Sequence, residues 1–338
     1  MISAEPPARA GAGRPARPWL LADIGGTNAR FGWLGANDSR VAHVSTLRGA
    51  DHAGPAAAAR AYLDGLSIQL GRHYQRPRGG AFAVATALCG DEVALTNSGW
   101  SFSRQQVQAE LQLATLLVLN DFEALALSLP HLGAAQLRPH GALPQARGTL
   151  AVVGPGTGLG VAGVVQTANG WAALAGEGGH ATLAAGDDFE NAVLAAVRLD
   201  HTHVSAERLL SGIGLPVLHR AVAAVLGLPI HTLSAELIVE RGLAGSDPAC
   251  SRSLDAFCAL LGGFCGNVVL TLGARGGLYI GGGIVPRLGE RFFQSNFRDR
   301  FEAKGRFQPY LQAVPTALIT DTLAALTGAS QALEQHQP

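Results

Sequence analysis

Two glycine-rich segments of this sequence have the composition of phosphate-binding turns. Residues 25–28 follow a short apolar stretch that ends at Asp23, and residues 156–158 lie between two longer apolar runs. Because glycine has no side chain and tolerates positive φ, the backbone amides of such turns can approach phosphate oxygens closely. Neither segment continues as a Walker A loop or opens a helix as a dinucleotide-binding fingerprint does. The two segments therefore indicate a phosphate ligand, and two ordinary tight hairpins are the competing interpretation.

Two aspartates occupy positions where a carboxylate could do chemistry. Asp23 immediately precedes the first turn, where it could hold Mg²⁺ directly or through a water beside the phosphates, or could simply initiate the turn. Asp121 follows Asn120 and the apolar run 116–119, which places it at the carboxyl end of a buried strand. Sites of α/β proteins lie at such strand ends. Capping of the next helix is the alternative role for Asp121.

Further polar residues lie in two segments of the second half. Glu177 and His180 belong to a glycine-rich run with few bulky neighbours, so their side chains could face a ligand. The alternative for Glu177 is a surface carboxylate, and zinc binding by His180 is disfavoured because no second Cys/His cluster accompanies it. Glu207 follows Ser205 in a pattern typical of a helix start, which favours a capping or solvent-exposed role.

The elements that must position these residues follow a repeated plan. An apolar run, a glycine turn and a second apolar run occur twice, which predicts two similar α/β lobes with the turns facing a cleft between them. Strands alternate with helices in the first half, and helical spacing dominates beyond residue 185. A last helix at residues 322–334 is expected to pack on the first lobe. We predict a disordered tail at 1–18, a small α/β domain at 19–130 plus 315–338, and a large α/β domain at 131–314.

Composition limits the possible partners. Lys plus Arg and Asp plus Glu number 25 each, so no basic field attracts nucleic acid or an anionic membrane. The four cysteines lack CxxC spacing, which favours a reduced, cytoplasmic protein. The uncharged stretch 148–176 is long enough to span a bilayer, but Pro155 and its glycines would leave backbone groups unpaired in lipid. We therefore predict a hairpin in a sheet there, and a small-molecule partner.

Together, these motifs resemble the bacterial ATP-dependent glucokinase family, and they occur in the same order. The resemblance extends over residues 20–329, nearly the whole chain. The segments that carry it are ADIGGTNAR at 22–30, LNDF at 119–122, GTGLG at 156–160, GEGGH at 176–180, VSAERLLSG at 204–212, GGLYIGGGIVPR at 276–287 and FEAKGRF at 301–307.

The resemblance implies a fold, a reaction and a set of site residues. The fold is α/β, a two-lobed actin-like ATPase (ribonuclease H-like) fold with an interlobe active-site cleft. The reaction is transfer of the γ-phosphoryl group of ATP, with Mg²⁺, to the 6-hydroxyl of glucose, in a homodimer, with Asp121 as the base. The implied sugar contacts are Asn120, Asp121, Glu177, His180 and Glu207. The implied phosphate contacts are Gly25, Gly26, Thr27, Asn28, Gly156, Thr157 and Gly158, with Gly281, Gly282 and Gly283 at the adenosine.

Departures from the family pattern leave other interpretations open. Ala87 replaces a usual proline, and residues 321–324 lack the usual Pro-Gly, although neither departure removes a proposed catalytic group. A catalytically weak sugar-binding paralogue and a kinase of another hexose remain alternatives. A kinase of the ROK group is disfavoured because no cysteine lies between Cys89 and Cys250 to form that group's zinc motif. A transcriptional regulator is disfavoured because the segment before the first turn is too short for a helix-turn-helix domain.

Overall fold

The computed structural model describes residues 16–86, 88, 90–95 and 99–336. The predicted tail at 1–18, except its last three residues, and also Ala87 and Cys89, lie outside the described residues. The strands are β1 (Trp19–Ile24), β2 (Asn28–Leu34), β3 (Ala42–Arg48), β4 (Gly79–Val84), β5 (Glu92–Ala94), β6 (Ser101–Ser103), β7 (Thr115–Asn120), β8 (Leu137–His140), β9 (Thr149–Pro155), β10 (Leu159–Thr167), β11 (Gly170–Leu174), β12 (Gly277–Ile280) and β13 (Thr316–Ile319).

Helices are concentrated in the second half of the described chain. They are α1 (Pro55–Leu70), α2 (Arg104–Leu111), α3 (Asp121–Ser128), α4 (Asp188–Arg198), α5 (Ala206–Leu209), α6 (Leu215–Val225), α7 (Ala235–Ala244), α8 (Pro248–Leu272), α9 (Ile284–Leu288), α10 (Glu290–Phe293), α11 (Phe297–Glu302), α12 (Gln308–Gln312) and α13 (Ala324–Gln335).

The chain divides into two compact units. The first extends to Ser128 and resumes at Leu323, and the second comprises Leu129–Thr322. Our predicted return to the first domain, at residue 315, is earlier than the observed one. Strand β13 pairs with β12 and β8 in the second unit, so its backbone hydrogen bonds keep this segment there.

The first unit contains a five-stranded sheet in the order β3-β2-β1-β4-β7. Strands β1 and β2 form an antiparallel hairpin, whereas β1, β4 and β7 run parallel. Asp23 is in register with Ala83, and Ala83 with Leu119. The carboxyl ends of β1 and β7 therefore lie at one edge of the sheet, separated by two inter-strand spacings, or about 10 Å.

Helix α13 completes the core of the first unit on one face of this sheet. Its buried Leu326 and Leu333 pack against Trp19 and Leu21 of β1. Gly328 lets α13 approach α3 closely, because a Cβ at this position would overlap the carbonyl oxygen of Ala124. A residue far along the chain thus determines how α3, and Asp121 at its start, are held.

The second unit contains a six-stranded sheet in the order β11-β10-β9-β12-β13-β8. The predicted hairpin within 148–176 is confirmed, since β9, β10 and β11 pair antiparallel in succession. Strand β12 runs parallel to β9, so the ends of these two strands, at Pro155 and Ile280, lie at the same edge of the sheet. The glycine-rich segments 156–158 and 281–283 begin there.

Helix α8 is the central helix of the second unit. Phe257, Leu261 and Cys265 on this helix are fully buried in the core. Among the described residues it is the one helix long and apolar enough to cross a membrane, and 67% of its most apolar stretch is buried inside the protein. Its packing against α6, α7 and α11 is that of a core helix.

Candidate active site

The first glycine turn closes the hairpin between β1 and β2. The N–H of Gly25 donates a hydrogen bond of 2.9 Å to the carbonyl oxygen of Asn28. The N–H of Gly49, which follows β3, donates to the carbonyl of Thr27 at 2.8 Å. These two hydrogen bonds hold the backbone of the turn, and its residues Thr27 and Asn28 are exposed to solvent.

Asp23 lies half-buried on β1, opposite Arg30 on β2. Burial raises the pKa of its carboxyl, and the positive charge of Arg30 offsets part of this effect. Mg²⁺ in nucleotide sites binds one or two carboxylates together with substrate phosphates and waters. The described residues contain no group of three or more His, Cys, Asp or Glu that could form a dedicated metal cage. One carboxylate beside an exposed glycine turn fits this minimal set of protein ligands.

Asn120 and Asp121 mark the junction of β7 and α3. The side-chain oxygen of Asn120 accepts hydrogen bonds from the N–H groups of Phe122, at 2.9 Å, and Glu123, at 3.3 Å. Its amide nitrogen donates to the carbonyl of Thr86 at 3.2 Å. Asn120 therefore caps α3, a role for which Asp121 was the sequence-based candidate. The half-buried Asp121 also accepts from the N–H of Phe122, at 2.9 Å, on its Oδ1 atom.

The second glycine turn joins β9 and β10 and is held by a distant loop. Within the turn, the N–H of Gly156 donates to the carbonyl of Gly158 at 2.8 Å. Two amides of a distant loop also donate to the turn. The N–H of Gly212 donates to the carbonyl of Gly156 at 2.8 Å, and the N–H of Ile213 donates to the carbonyl of Thr157 at 3.4 Å. The loop around Gly212 therefore determines the backbone conformation of this turn.

The structural requirement for glycine is different in the different glycine-rich segments. Neither Gly25 nor Gly156 in the two turns has positive φ, and a Cβ at Gly156 would meet nothing within 4 Å. Gly282, in contrast, has φ +75°, and a Cβ there would overlap the carbonyl oxygen of Pro155. The N–H of Gly281 donates to the carbonyl of Val153 at 2.9 Å. The segment after β12 therefore packs directly beside the Gly156 turn.

Glu207 connects the glycine turn to His180. Its Oε2 accepts a hydrogen bond of 2.9 Å from the N–H of Leu159, the first residue of β10. Its Oε1 lies 3.9 Å from His180 Nε2, and 34% of its side chain is exposed. Ser205 does cap α5, by accepting from the N–H of Arg208 at 3.2 Å, so the helix-start interpretation was correct for the backbone. It was wrong for the Glu207 side chain, which reaches the neighbouring strand.

Glu177 precedes a single turn of 3₁₀ helix that ends at His180 and packs on the same strand. Both residues are exposed, and the buried Gly179 lies between them. A Cβ at Gly179 would overlap the carbonyl oxygen of Leu159, so only glycine permits this approach. The N–H of His180 donates to the carbonyl of Glu177 at 3.0 Å, which keeps the two residues together.

The predicted site residues thus form two groups, one in each unit. The sequence analysis did not identify Gly179, Ser211 and Gly212 as residues that form the site. All three lie within the motifs at 176–180 and 204–212, but their roles depend on contacts with residues distant in the chain. The group of the first unit is Asp23, Gly25, Gly26, Thr27, Asn28, Asn120 and Asp121. The group of the second unit is Gly156, Thr157, Gly158, Glu177, His180, Glu207, Gly281, Gly282 and Gly283.

Comparison with known proteins identifies close relatives. A family model described as Glucokinase matches residues 20–336. A glucokinase of Aromatoleum aromaticum is 48% identical over 318 residues, which cover 94% of this chain and 95% of the relative. The crystal structure of a glucokinase from an Antarctic psychrotroph superposes with a TM-score of 0.87 at 37% identity, covering 94% of this chain and 99% of that one.

A more distant solved structure extends the likeness in fold. It is a ROK family glucokinase from Streptomyces griseus in complex with glucose and AMPPNP, with a TM-score of 0.62 at 18% identity, covering 95% of this chain and all of that one. These structures confirm the predicted fold class, an α/β, two-lobed actin-like ATPase fold.

Proposed function

Because this chain belongs to the glucokinase family, we propose that it transfers the γ-phosphoryl group of MgATP to the 6-hydroxyl of glucose. The products are glucose 6-phosphate and ADP. The observation that carries the proposal is the carboxylate of Asp121, held where β7 ends and α3 begins, in a chain that matches the family over residues 20–336. A sugar hydroxyl is a poor nucleophile, and a carboxylate at hydrogen-bonding distance accepts its proton as it attacks phosphorus.

Polar side chains bind the hydroxyls of the sugar. Asn120, Glu177, His180 and Glu207 together offer amide, imidazole and carboxylate partners to several hydroxyls. A site that pairs each hydroxyl discriminates against an epimer, because one buried polar group is then left unpaired. Support comes from the 3.9 Å separation of Glu207 and His180, which lets one ligand contact both.

The nucleotide is bound by the glycine-rich segments, where the lack of side chains lets it approach the backbone closely. Residues 25–28 and 156–158 contact the phosphates, and residues 281–283 contact the adenosine. Asp23 holds Mg²⁺, directly or through water, and the bound cation supplies positive charge that neutralises the phosphate oxygens. The AMPPNP bound by the Streptomyces griseus protein supports ATP as the phosphoryl donor.

Asp121 acts on the sugar and the Gly156 turn acts on the phosphates, and exclusion of water from the closed site prevents ATP hydrolysis. We place the enzyme in cytoplasmic glycolysis as a homodimer. The equal numbers of acidic and basic residues support the absence of nucleic-acid and membrane partners.

A panel of hexoses tests the substrate. Purified protein is incubated with MgATP and glucose, mannose, fructose or N-acetylmannosamine, and ADP is measured by a coupled assay. We expect ADP formation with glucose at the highest kcat/KM. Faster turnover of another hexose would favour the alternative hexose kinase. Glucose binding by calorimetry without ADP formation would favour the catalytically weak paralogue.

A further inference from the structure

Ser211 is a buried residue that lies between two parts of the candidate site. It is 1% exposed, and its hydroxyl makes two hydrogen bonds. The hydroxyl donates to the carbonyl oxygen of Glu207 at 2.8 Å and accepts from the N–H of Gly214 at 2.9 Å. A buried hydroxyl bonded on both sides restrains the backbone on both sides.

These bonds fold residues 207–214 into a compact loop. The N–H of Leu215 donates to the carbonyl of Ser211 at 2.8 Å, so α6 starts directly from this loop. Gly214 packs so tightly that a Cβ would lie 2.6 Å from the carbonyl oxygen of Arg208. The loop therefore has little freedom to change shape while the Ser211 bonds are intact.

Two parts of this loop, which we call its arms, contact the Gly156 turn and the strand that follows it: one arm contains Glu207 and the other contains Gly212. On one arm, Glu207 accepts from the N–H of Leu159 at 2.9 Å. On the other arm, the N–H of Gly212 donates to the carbonyl of Gly156 at 2.8 Å. Ser211 lies between the two arms and is bonded to the backbone of Glu207. A change at its hydroxyl must therefore reach both contacts.

We infer that Ser211 is a positioning residue that orients Glu207 towards the sugar and, through Gly212, shapes the turn that binds the phosphates. Its hydroxyl thereby supports the binding of both glucose and ATP. The ligands named here rest on the proposed function, whereas the hydrogen bonds do not. Ser211 itself takes no part in proton or phosphoryl transfer.

Replacement of Ser211 by alanine tests the inference through the two KM values. In Ser211→Ala the Glu207 carbonyl and the Gly214 N–H lose their buried partner, so both arms loosen. We expect the KM values for glucose and for ATP each to rise by about fivefold or more. The matched control is Ser253→Ala, which removes the buried hydroxyl that donates to Ala249 at 2.7 Å in α8 of the same unit. The control should lower Tm but leave both KM values within about twofold of native.

Hydrogen exchange followed by mass spectrometry tests the same inference without any substrate. In Ser211→Ala, the peptides that contain the amides of Leu159 and Gly212 should exchange faster than in the native protein and in Ser253→Ala. If the native protein does not phosphorylate glucose but these amides respond, the proposed function fails and the positioning role stands. Unchanged exchange and unchanged KM values in folded Ser211→Ala would overturn the positioning role alone.

A second variant covers the case in which Ser211→Ala does not fold. Gly212→Ala keeps both Ser211 bonds and places a methyl group 3.2 Å from the carbonyl oxygen of Gly156, which disturbs only one arm. We expect the KM for ATP to rise by about threefold or more while the KM for glucose stays within twofold. A change in neither value would mean that the loop does not shape the turn.

Discussion

A carboxylate at the start of a helix is better placed to act as a base when a neighbouring side chain supplies the helix cap. In this protein Asn120 supplies the cap, because its side-chain oxygen accepts from the N–H groups of Phe122 and Glu123. Asp121 shares the N–H of Phe122 with Asn120 through its Oδ1 atom, whereas the N–H of Glu123 donates to Asn120. The position of Asp121, rather than its residue type alone, makes it the candidate base.

Replacement of Asp121 by asparagine should separate catalysis from binding. Asparagine keeps the shape of the side chain and one acceptor oxygen but cannot take up the proton of the sugar hydroxyl. We expect kcat to fall by about 10²–10⁴-fold while calorimetry shows glucose affinity within about threefold of native. Glu123→Gln is the control, since it removes the half-buried carboxylate two residues further along the same helix. Near-native kcat in Asp121→Asn would refute the assignment of the base.

Asp23 should show a conflict between stability and ligand binding. Because burial raises the pKa of its carboxyl, the folded protein holds this proton more tightly than the unfolded chain does. Its favourable contribution to stability is therefore complete below the ordinary value of 3.8 and is lost as pH rises through the raised value. In ligand-free protein at pH 7, Asp23→Asn should unfold at the same urea concentration as native protein, or at a higher one.

Although Asp23→Asn should not lower stability, it should lower the activity of the enzyme. Loss of the carboxylate weakens Mg²⁺ binding, and we expect the KM for MgATP to rise by about tenfold or more. The urea midpoints are compared at pH 4 and pH 7, where the difference between variant and native protein should be smaller at pH 4. A ligand-free variant that is clearly less stable than native protein at pH 7 would contradict this account of Asp23.

For single residues, the sequence predicted where the site residues lie along the strands better than it predicted which distant residues they contact. Asp23 and Asp121 were recognisable because they lie at the ends of apolar runs, and each strand ends one residue beyond its predicted run, at Ile24 and Asn120. The contact of Glu207 with Leu159 joins residues 48 positions apart, and no local pattern reports it. Periodicity shows which side chains are buried together along one element, but it does not show which distant backbone amide a side chain will reach.

At the scale of elements, apolar runs beside a glycine turn were a reliable signal for hairpins. Both predicted hairpins are present as β1–β2 and β9–β10. Strand β3 was not predicted because it is largely exposed and lacks an apolar alternation. Strand β8 was not predicted because it is short and contains Pro139, which is tolerated at this edge of the sheet.

The glycine run after β12 offers a prediction with a matched control. Gly282 combines positive φ with contact to Pro155, whereas a Cβ at Gly283 would meet nothing within 4 Å. We expect Gly282→Ala to lower the free energy of unfolding by about 1–3 kcal/mol and to raise the KM for ATP. Gly283→Ala should stay within about 0.5 kcal/mol of native protein in urea denaturation. Equal effects of the two substitutions would show that the contact with Pro155 is not what requires glycine.

At the scale of the whole molecule, the chain leaves the first unit at Ser128 and returns to it at Leu323. Helix α13 then supplies buried residues to the first unit, so that unit cannot be completed until the end of the chain is available. Residues 322–334 were predicted as a helix from their spacing, and α13 covers nearly the same segment. The close crossing of α13 with α3 at Gly328 was not predictable, because a glycine within a helical pattern gives no indication of its partner.

This crossing should link the stability of the first unit to turnover. A Cβ at Gly328 would overlap the carbonyl of Ala124 in α3, so Gly328→Ala must move the two helices apart. We expect a loss of about 1–3 kcal/mol in the free energy of unfolding, and a lower kcat because α3 begins with Asp121. The control is Gly65→Ala in α1, where a Cβ meets nothing within 4 Å and alanine should stabilise the helix by about 0.5–1 kcal/mol.

Two spectroscopic probes can locate this effect within the chain. Trp19, Trp33 and Trp100 lie in the first unit, so tryptophan fluorescence reports mainly on that unit, whereas the circular dichroism of helices reports mainly on the helix-rich second unit. In Gly328→Ala the fluorescence midpoint in urea should fall further than the dichroism midpoint. In Gly65→Ala the fluorescence midpoint should rise. If both midpoints of Gly328→Ala fell equally, the two units would unfold as one cooperative body, and α13 would stabilise the entire molecule instead of the first unit.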